Sequence, residues 1–270
     1  MAHAIDTLTT WLRRSRFTVV FTGAGMSTES GLPDFRSSGG LWRTGRRFEE
    51  LASVRALEQA YDEFVAFYRW RIDMINRHGP HEGHAILARW QQDGIIHALI
   101  TQNVDGYHQR AGSPDVIELH GTLRTVHCQQ CRRRAPAETF LHDFGLNCPH
   151  CGGTMRPSVV LFGEALPERA LLEAERASRQ AELFVVLGSS LVVSPANGFP
   201  QLAKARGRGW SSSIATPPPR CAGRPAPHRI HPRRADGCRC QDPAHLAPCR
   251  PLQQHHRARE TLTTPPTARC

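Results

Sequence analysis

Four cysteines in this 270-residue chain have the spacing of metal ligands. Cys128-x2-Cys131 and Cys148-x2-Cys151 are separated by sixteen residues, and Pro149 with Gly152-Gly153 gives the second pair a tight knuckle. Four thiolates offered from two hairpins suit tetrahedral Zn²⁺. Because protein fills all four positions, none is left for an activated water, so the expected role is structural, with one zinc per chain.

A second group of residues reads as a ligand site. In "FTGAGMSTESGLPDFR" (21–36), Gly23-Ala24-Gly25 directly follows an apolar run, and glycines there let backbone approach a pyrophosphate at a helix N-terminus. The spacing to Gly31 is too long for G-x-G-x-x-G, and no acidic residue ends an obvious second strand about 20 residues on. Alone, the triplet leaves a plain strand-to-helix turn open. Its continuation, Pro33-Asp34-Phe35-Arg36 and then Ser37-Ser38-Gly39-Gly40, reads as a polar loop able to close over a ligand. "TQNVDGYHQRAG" (101–112) adds Gln102, Asn103 and Asp105. Such groups are costly to bury unpaired, so they cap the next helix or meet a ligand. In "IELHGTL" (117–123), His120 ends an apolar run just before Gly121 and is a candidate general base near neutral pH. His81 and His84 in "PHEGHA" fall one residue short of H-E-x-x-H and are assigned to helix packing.

The elements that must position these groups can be read from hydrophobic runs. "RFTVVFTG" (16–23), "IIHALITQN" (95–103) and "AELFVVLGSS" (181–190) read as buried strands ending in small or polar residues. Alternating with helical stretches, they imply a parallel sheet covered on both faces, with ligands outside the strands' carboxyl ends. Residues 46–79 form a long helical segment with Leu51, Val54, Leu57, Tyr61, Phe64, Tyr68 and Ile72 on one face. The expected division is a nucleotide-binding domain from residues 1–45, 80–127 and 154–209, a helical insertion at 46–79, a zinc module at 128–153 and an aberrant tail at 210–270.

Composition limits the partners. The formal charge is +10, but ten arginines, no lysine and three acidic residues between Trp210 and Cys270 place +7 in the tail and only +3 in the first 209 residues. A nearly balanced body gives no electrostatic ground for nucleic-acid binding. The N-terminal stretch sets Ile5, Leu8, Trp11 and Leu12 at helical spacing and reads as an amphipathic helix, not a signal peptide. No run approaches about 18 consecutive apolar residues, so a soluble, cytoplasmic protein without a membrane partner is expected. A reducing compartment favours metal thiolates over disulfides.

GAGMST, SGLPDFR, TQNVDGYHQRAG, ELHG, the two cysteine pairs, "RPSVVLFGE" (156–164) and "LGSSLVVSPA" (187–196) occur in that order. Over about residues 5–206 the chain thereby resembles the sirtuin family of NAD-dependent protein deacylases, bacterial type. The resemblance implies an α/β fold: a doubly wound, Rossmann-like parallel sheet with a smaller zinc-binding and helical lobe. It implies NAD as cofactor, acylated lysine in proteins as substrate, and transfer of the acyl group to ADP-ribose with release of nicotinamide, His120 acting as base on a ribose hydroxyl. By resemblance, Gly23, Ala24, Gly25 and Thr28 approach the phosphates, and Phe35 and Arg36 line the loop over the nicotinamide ribose. Gln102 holds ribose hydroxyls, Val104 and Asp105 form the nicotinamide pocket, Asn103 is a further cofactor-binding residue, and Gly188, Ser189 and Ser190 meet the cofactor from the third strand. Val159, Val160, Leu161, Phe162 and Gly163 resemble the peptide-binding segment, where substrate pairs as an added strand. Tyr68 and Arg71 match the Tyr-x-x-Arg by which some members hold a succinyl or malonyl carboxylate. Alternatives left open are mono-ADP-ribosyl transfer, desuccinylation or demalonylation, and an impaired zinc- and NAD-binding module.

The family pattern stops after "QLAKARGRG", where another buried strand is due. The sequence instead turns to Pro, Arg, Ala, His and Cys without apolar periodicity, supplies no strand and reads as disordered. If the three serines after Trp210 use TCN codons, reading one base earlier yields a run of apolar residues and then a codon that allows Asn. A frameshift near Arg208 is the expectation, the alternative being a true basic tail that binds an acidic partner.

Overall fold

The computed structural model describes residues 2–35, 40, 48–205 and 214–215. Helix α1 (Ala2–Arg14) packs Leu8, Trp11 and Leu12 inward, whereas Ile5 is 63% exposed, so the expected stripe holds apart from its first member. Strand β1 (Thr18–Thr22) is buried at all five residues and runs through Gly23 into a short 3₁₀ turn, Ala24–Ser27.

The segment expected as one long helix is three: α2 (Phe48–Leu51), α3 (Val54–Gln59) and α4 (Tyr61–Arg77). The Ser53 hydroxyl accepts a hydrogen bond from the Ala56 amide at 3.2 Å and caps α3. Ala60, at φ −145°, breaks the chain again before α4. The apolar spacing continues across both breaks, which hides them from the periodicity.

Helix α5 (Glu82–Gln92), β2 (Ala98–Thr101), α6 (Tyr107–Arg110) and β3 (Ile117–Glu118) follow. Next come β4 (Gly121–Cys128), β5 (Arg134–Pro136) and β6 (Met155–Val159), then α7 (Glu168–Gln180), β7 (Leu183–Leu187), α8 (Phe199–Lys204) and β8 (Ile214–Ala215). Among the described residues these strands form two sheets, a five-stranded one in the order β3-β2-β1-β7-β8 and a three-stranded one in the order β5-β4-β6. The larger is parallel and the smaller antiparallel.

Alternate side chains of β1 go to opposite faces of the larger sheet. Val19 and Phe21 pack with Ala174, Ala177 and Phe199 of α7 and α8, while Val20 packs with Leu87 of α5 and partly buried residues of α1. Burial on both faces is why these strands read as nearly continuous apolar runs.

One expectation needs correction: the tail does supply strand pairing. Ile214 and Ala215 pair in parallel with Val186 and Leu187 of β7. They are an adjacent apolar pair in a polar stretch and satisfy backbone groups on the outer side of β7. The expected disorder and shifted frame of the rest of 210–270 concern positions outside the described residues. No helix among the described residues is long and apolar enough to cross a membrane.

Because β1 has β2 on one side and β7 on the other, with Thr22 level with both Thr101 and Leu187, the residues that leave these strands converge. Gly23, Gln102 and Gly188 therefore meet at the sheet's carboxyl edge, a topological switch point where doubly wound folds bind ligands.

Candidate active site

Backbone pressed against backbone forms one wall of a cleft of about 550 Å³. The Gly23 amide donates to Leu187 O at 3.0 Å and the Gly25 amide to Gly188 O at 2.8 Å. A Cβ on Gly23 would lie 2.8 Å from Gly188 O, and one on Gly25 would lie 2.9 Å from Gly188 Cα. Gly188 itself is left-handed, at φ +63°. Only glycine fits this crossing, and the result is a side-chain-free surface suited to close approach by a pyrophosphate.

The floor is a closed hydrogen-bond network. Ser27 Oγ donates to Asp105 Oδ2 at 2.7 Å, and the Tyr107 amide donates to Asp105 Oδ1 at 2.9 Å. Asn103 Nδ2 donates to Gly23 O and to Ser27 Oγ. Burial pushes the Asp105 carboxyl above its ordinary range, and these donors offset part of that. Gln102 Nε2 donates to Ser189 Oγ at 2.7 Å and ties the ends of β2 and β7 together. Ser27, which the sequence reading did not single out, is 2% exposed and shares Asp105 with the floor. Its signal was a hydroxyl two residues beyond Gly25.

Three histidines lie beneath the floor. Thr22 Oγ1 donates to Thr101 Oγ1, so the 2.9 Å contact between His108 Nε2 and Thr22 Oγ1 places the ring proton on Nε2. His108 Nδ1 and His84 Nε2 are buried without hydrogen-bond partners among the described residues. Burial, then neighbouring histidines, lowers His84 to about 3 and His108 to about 4. His81 Nδ1 accepts from the Gly83 amide and His84 Nδ1 from the His81 amide, so both serve the start of α5, as their spacing indicated.

His120 stands where the chain leaves β3 of the large sheet and enters β4 of the small one. Its Nδ1 lies 3.1 Å from Gln102 O. A carbonyl only accepts, so the proton sits on Nδ1 and Nε2 is the bare, basic nitrogen. Burial lowers the His120 pKa, with the Gln102 bond acting the other way, so the ring is neutral and able to accept a proton at pH 7. Gly121, at φ +70°, lets the chain turn sharply against Ser158 and Val159.

Opposite the glycine wall, Val159–Gly163 lines the cleft. The Val160 amide donates to His120 O and the Phe162 amide to Ala52 O, both at 2.9 Å, and the Val54 amide donates to Phe162 O at 3.1 Å. The helix break at Ser53 is thus where this segment docks. Arg156, 5% exposed, braces it from below, with Nη1 and Nη2 at 2.6 and 2.9 Å from the two Glu164 oxygens and Nη2 also donating to Val159 O.

Tyr68 and Arg71 both line the cleft, as do Phe35 and Asp105. Tyr68 is 1% exposed, and burial pushes its hydroxyl up to about 12. The Arg71 guanidinium lies 5.6 Å from the Phe35 ring centre and 5.9 Å from that of Phe67, and its buried Nε has no hydrogen-bond partner among the described residues. Burial lowers its pKa.

Gly23, Ala24, Gly25, Phe35, Gln102, Asn103, Val104, Asp105, His120, Gly188, Ser189 and Ser190 therefore share one cleft. Thr28 is not among its walls: its hydroxyl donates to Gly25 O at 2.9 Å, within its own turn. Arg36 lies outside the described residues.

At the far end of the small sheet the four cysteine sulfurs lie within 4.8 Å of one another, with Cys128–Cys151 at 3.5 Å and Cys131–Cys148 at 3.6 Å. Tetrahedral Zn–S bonds of about 2.3 Å require sulfurs roughly 3.8 Å apart, so the quartet fits zinc. The Cys131 amide lowers the Cys128 thiol to about 6, favouring the thiolate a metal needs. Gly152, at φ +72°, makes the second knuckle.

Fold and cleft define a doubly wound α/β protein with a neutral histidine lining the cleft and a four-cysteine cluster suited to zinc. Residues 23–195 match the model of the Sir2 family, and the chain belongs to that family. It is 58% identical over 204 residues to NAD-dependent protein deacetylase 1 of Geobacillus kaustophilus, covering 74% of this chain and 82% of that protein. It is 50% identical over 198 residues to the NAD-dependent protein deacetylase of Oceanobacillus iheyensis, covering 73% and 83%. Among solved structures, a Sir2 homologue–NAD complex superposes with a TM-score of 0.71 at 39% identity, covering 77% of this chain and 81% of that one. A Sir2–p53 peptide–NAD⁺ complex gives 0.67 at 37%, covering 77% and 85%.

Proposed function

We propose that this chain is an NAD-dependent protein lysine deacylase, acting on acetyl-lysine and releasing nicotinamide. The observation that carries this reading is His120, a neutral base between the glycine wall and the Val159–Gly163 segment. Bound NAD supplies the nicotinamide leaving group and the ribose that takes up the acyl chain. Backbone at Gly23–Gly25 and Gly188 would receive the phosphates, Gln102 and the serine pair a ribose, and Asn103, Val104, Asp105 and Phe35 the nicotinamide. Val159–Gly163 would lay the substrate backbone alongside as an added strand, holding the acyl-lysine within reach of His120 Nε2, which accepts the proton. The zinc quartet would hold the small sheet, and a reducing cytoplasm suits its four thiolates.

The test is to mix the protein with NAD and an acetyl-lysine peptide and to follow nicotinamide and free lysine together. His120→Ala is expected to lower turnover by roughly two or more orders of magnitude with NAD still bound. Unchanged turnover would place the base elsewhere, and nicotinamide release with the acetyl group left on the peptide would favour ADP-ribosyl transfer. The buried Nε of Arg71, without a hydrogen-bond partner among the described residues, favours a second reading, removal of succinyl or malonyl groups, whose carboxylate would meet this guanidinium. Arg71→Met should then abolish that activity and spare deacetylation.

A further inference from the structure

We infer that Arg132 and Arg134, with His127 beside them, form a subsite for an acidic side chain of the protein substrate, adjoining the acyl-lysine groove. The inference rests on the deacylase reading for what lies in that groove. The register of the small sheet sets His127 opposite Arg134 on one side and opposite Arg156 on the other. Cross-strand partners share a face, so three basic side chains stand in a row from the open edge at β5 to the base of the substrate wall.

The two ends of the row differ in charge balance. At the inner end Glu164 neutralises Arg156. At the outer end Arg132, Arg133 and Arg134 are exposed, and none of them makes an ion pair or a side-chain hydrogen bond among the described residues. A zinc ion with four thiolates leaves two net negative charges, fewer than three arginines supply. The middle of the row connects it to the groove, because His127 Nδ1 lies 3.1 Å from the hydroxyl of Ser158, the residue before Val159. Arg132 is also fixed in place: its backbone is left-handed at φ +62°, and its amide donates to Cys128 O within the zinc knuckle.

A peptide laid along Val159–Gly163 advances about 3.3 Å per residue, so it reaches the Ser158–His127 contact a few residues from its acyl-lysine. An aspartate or glutamate there meets exposed guanidiniums whose charge exceeds that of the neighbouring zinc centre. Nucleic acid fits less well, since the first 209 residues carry only +3. Two solvent-exposed pairs give a preference of about three- to tenfold, greatest at low salt.

The experiment uses the full chain, NAD and acetyl-lysine peptides flanked on one side or the other by three aspartates or three asparagines. In low salt, kcat/KM for one aspartate peptide should exceed that of its asparagine partner by about three- to tenfold, and the gap should narrow near 0.15 M ionic strength. Arg132→Gln with Arg134→Gln should remove the gap while leaving zinc content and the asparagine-peptide rate as they were. Equal rates in the unaltered protein, a gap that survives the double substitution, or equal slowing of both peptides would each overturn the inference. Loss of zinc from the double variant would assign the arginines to the metal centre, and tighter binding of a single-stranded oligonucleotide than of the aspartate peptide would assign them to nucleic acid; both overturn it. If the unaltered protein deacylates neither peptide, the deacylase reading has failed. Anisotropy of the same labelled peptides then decides the subsite alone: an arginine-dependent preference for aspartate supports it and equal binding overturns it.

Discussion

On the cofactor side of the cleft, Gly23 and Gly25 press against Gly188 so closely that a single added carbon would overlap main-chain atoms. On the substrate side, Val159–Gly163 is held in place by hydrogen bonds to His120, Ala52 and Val54 and by the Arg156–Glu164 pair. The first wall is fixed by exclusion and draws on two adjacent strands of one sheet. The second is fixed by attraction and draws on three segments distant in sequence, one of them anchored to the zinc module. Damage to the first should therefore fall on NAD, and damage to the second on the peptide.

Metal removal breaks the comparison most severely. Chelating zinc from the reduced protein should unfold the three-stranded sheet and abolish deacylation, because four neighbouring thiolates cannot hold two knuckles together without a cation. Metal analysis finding no zinc in active protein would contradict this. Acid should act next, on the cofactor side, where His84, His81 and His108 underlie the glycine loop. His84 and His108 have folded pKa values of about 3 and about 4, below the ordinary 6.5, so the unfolded chain binds more protons below pH 6.5. Their contribution is complete above about pH 6.5 and lost as pH falls, on the order of 3 kcal/mol for each by pH 4. A melting temperature unchanged between neutrality and pH 4.5 would show that the rings charge freely in the fold.

Smaller changes sharpen the contrast. Gly188→Ala places a side chain at φ +63° against the backbone of Gly25 and Met26. NAD affinity measured by calorimetry should fall roughly tenfold or more, with peptide binding less affected. Glu164→Gln keeps the shape of the brace but not its charge, and should raise the peptide KM several-fold with the NAD KM nearly unchanged. An effect of Glu164→Gln mainly on NAD would erase the distinction between the walls.

The parts of this architecture legible in the sequence were those set by local rules. Three strands buried on both faces left apolar runs, the zinc knuckles left a fixed spacing, and the glycine crossing left its glycines. The breaks at Ser53 and Ala60 were invisible because the apolar period continues through them. The pairing of Ile214 and Ala215 with β7 was missed because two residues make no period at all. Thr28 turned out to serve its own turn, and Ser27 to share Asp105, because the choice between neighbouring hydroxyls depends on which way a 3₁₀ turn faces. The row across the small sheet was likewise beyond reach, since His127, Arg134 and Arg156 become neighbours only through strand register.

The amides of Val160, Phe162 and Val54, bonded to His120, Ala52 and Phe162, stitch one short segment to two others. A segment held in this way should open as a whole, and its amides are expected to exchange with solvent together. One of the acceptors is the carbonyl of His120. Opening of this segment would free the His120 carbonyl in the same event, while the imidazole keeps its own tie to Gln102 O.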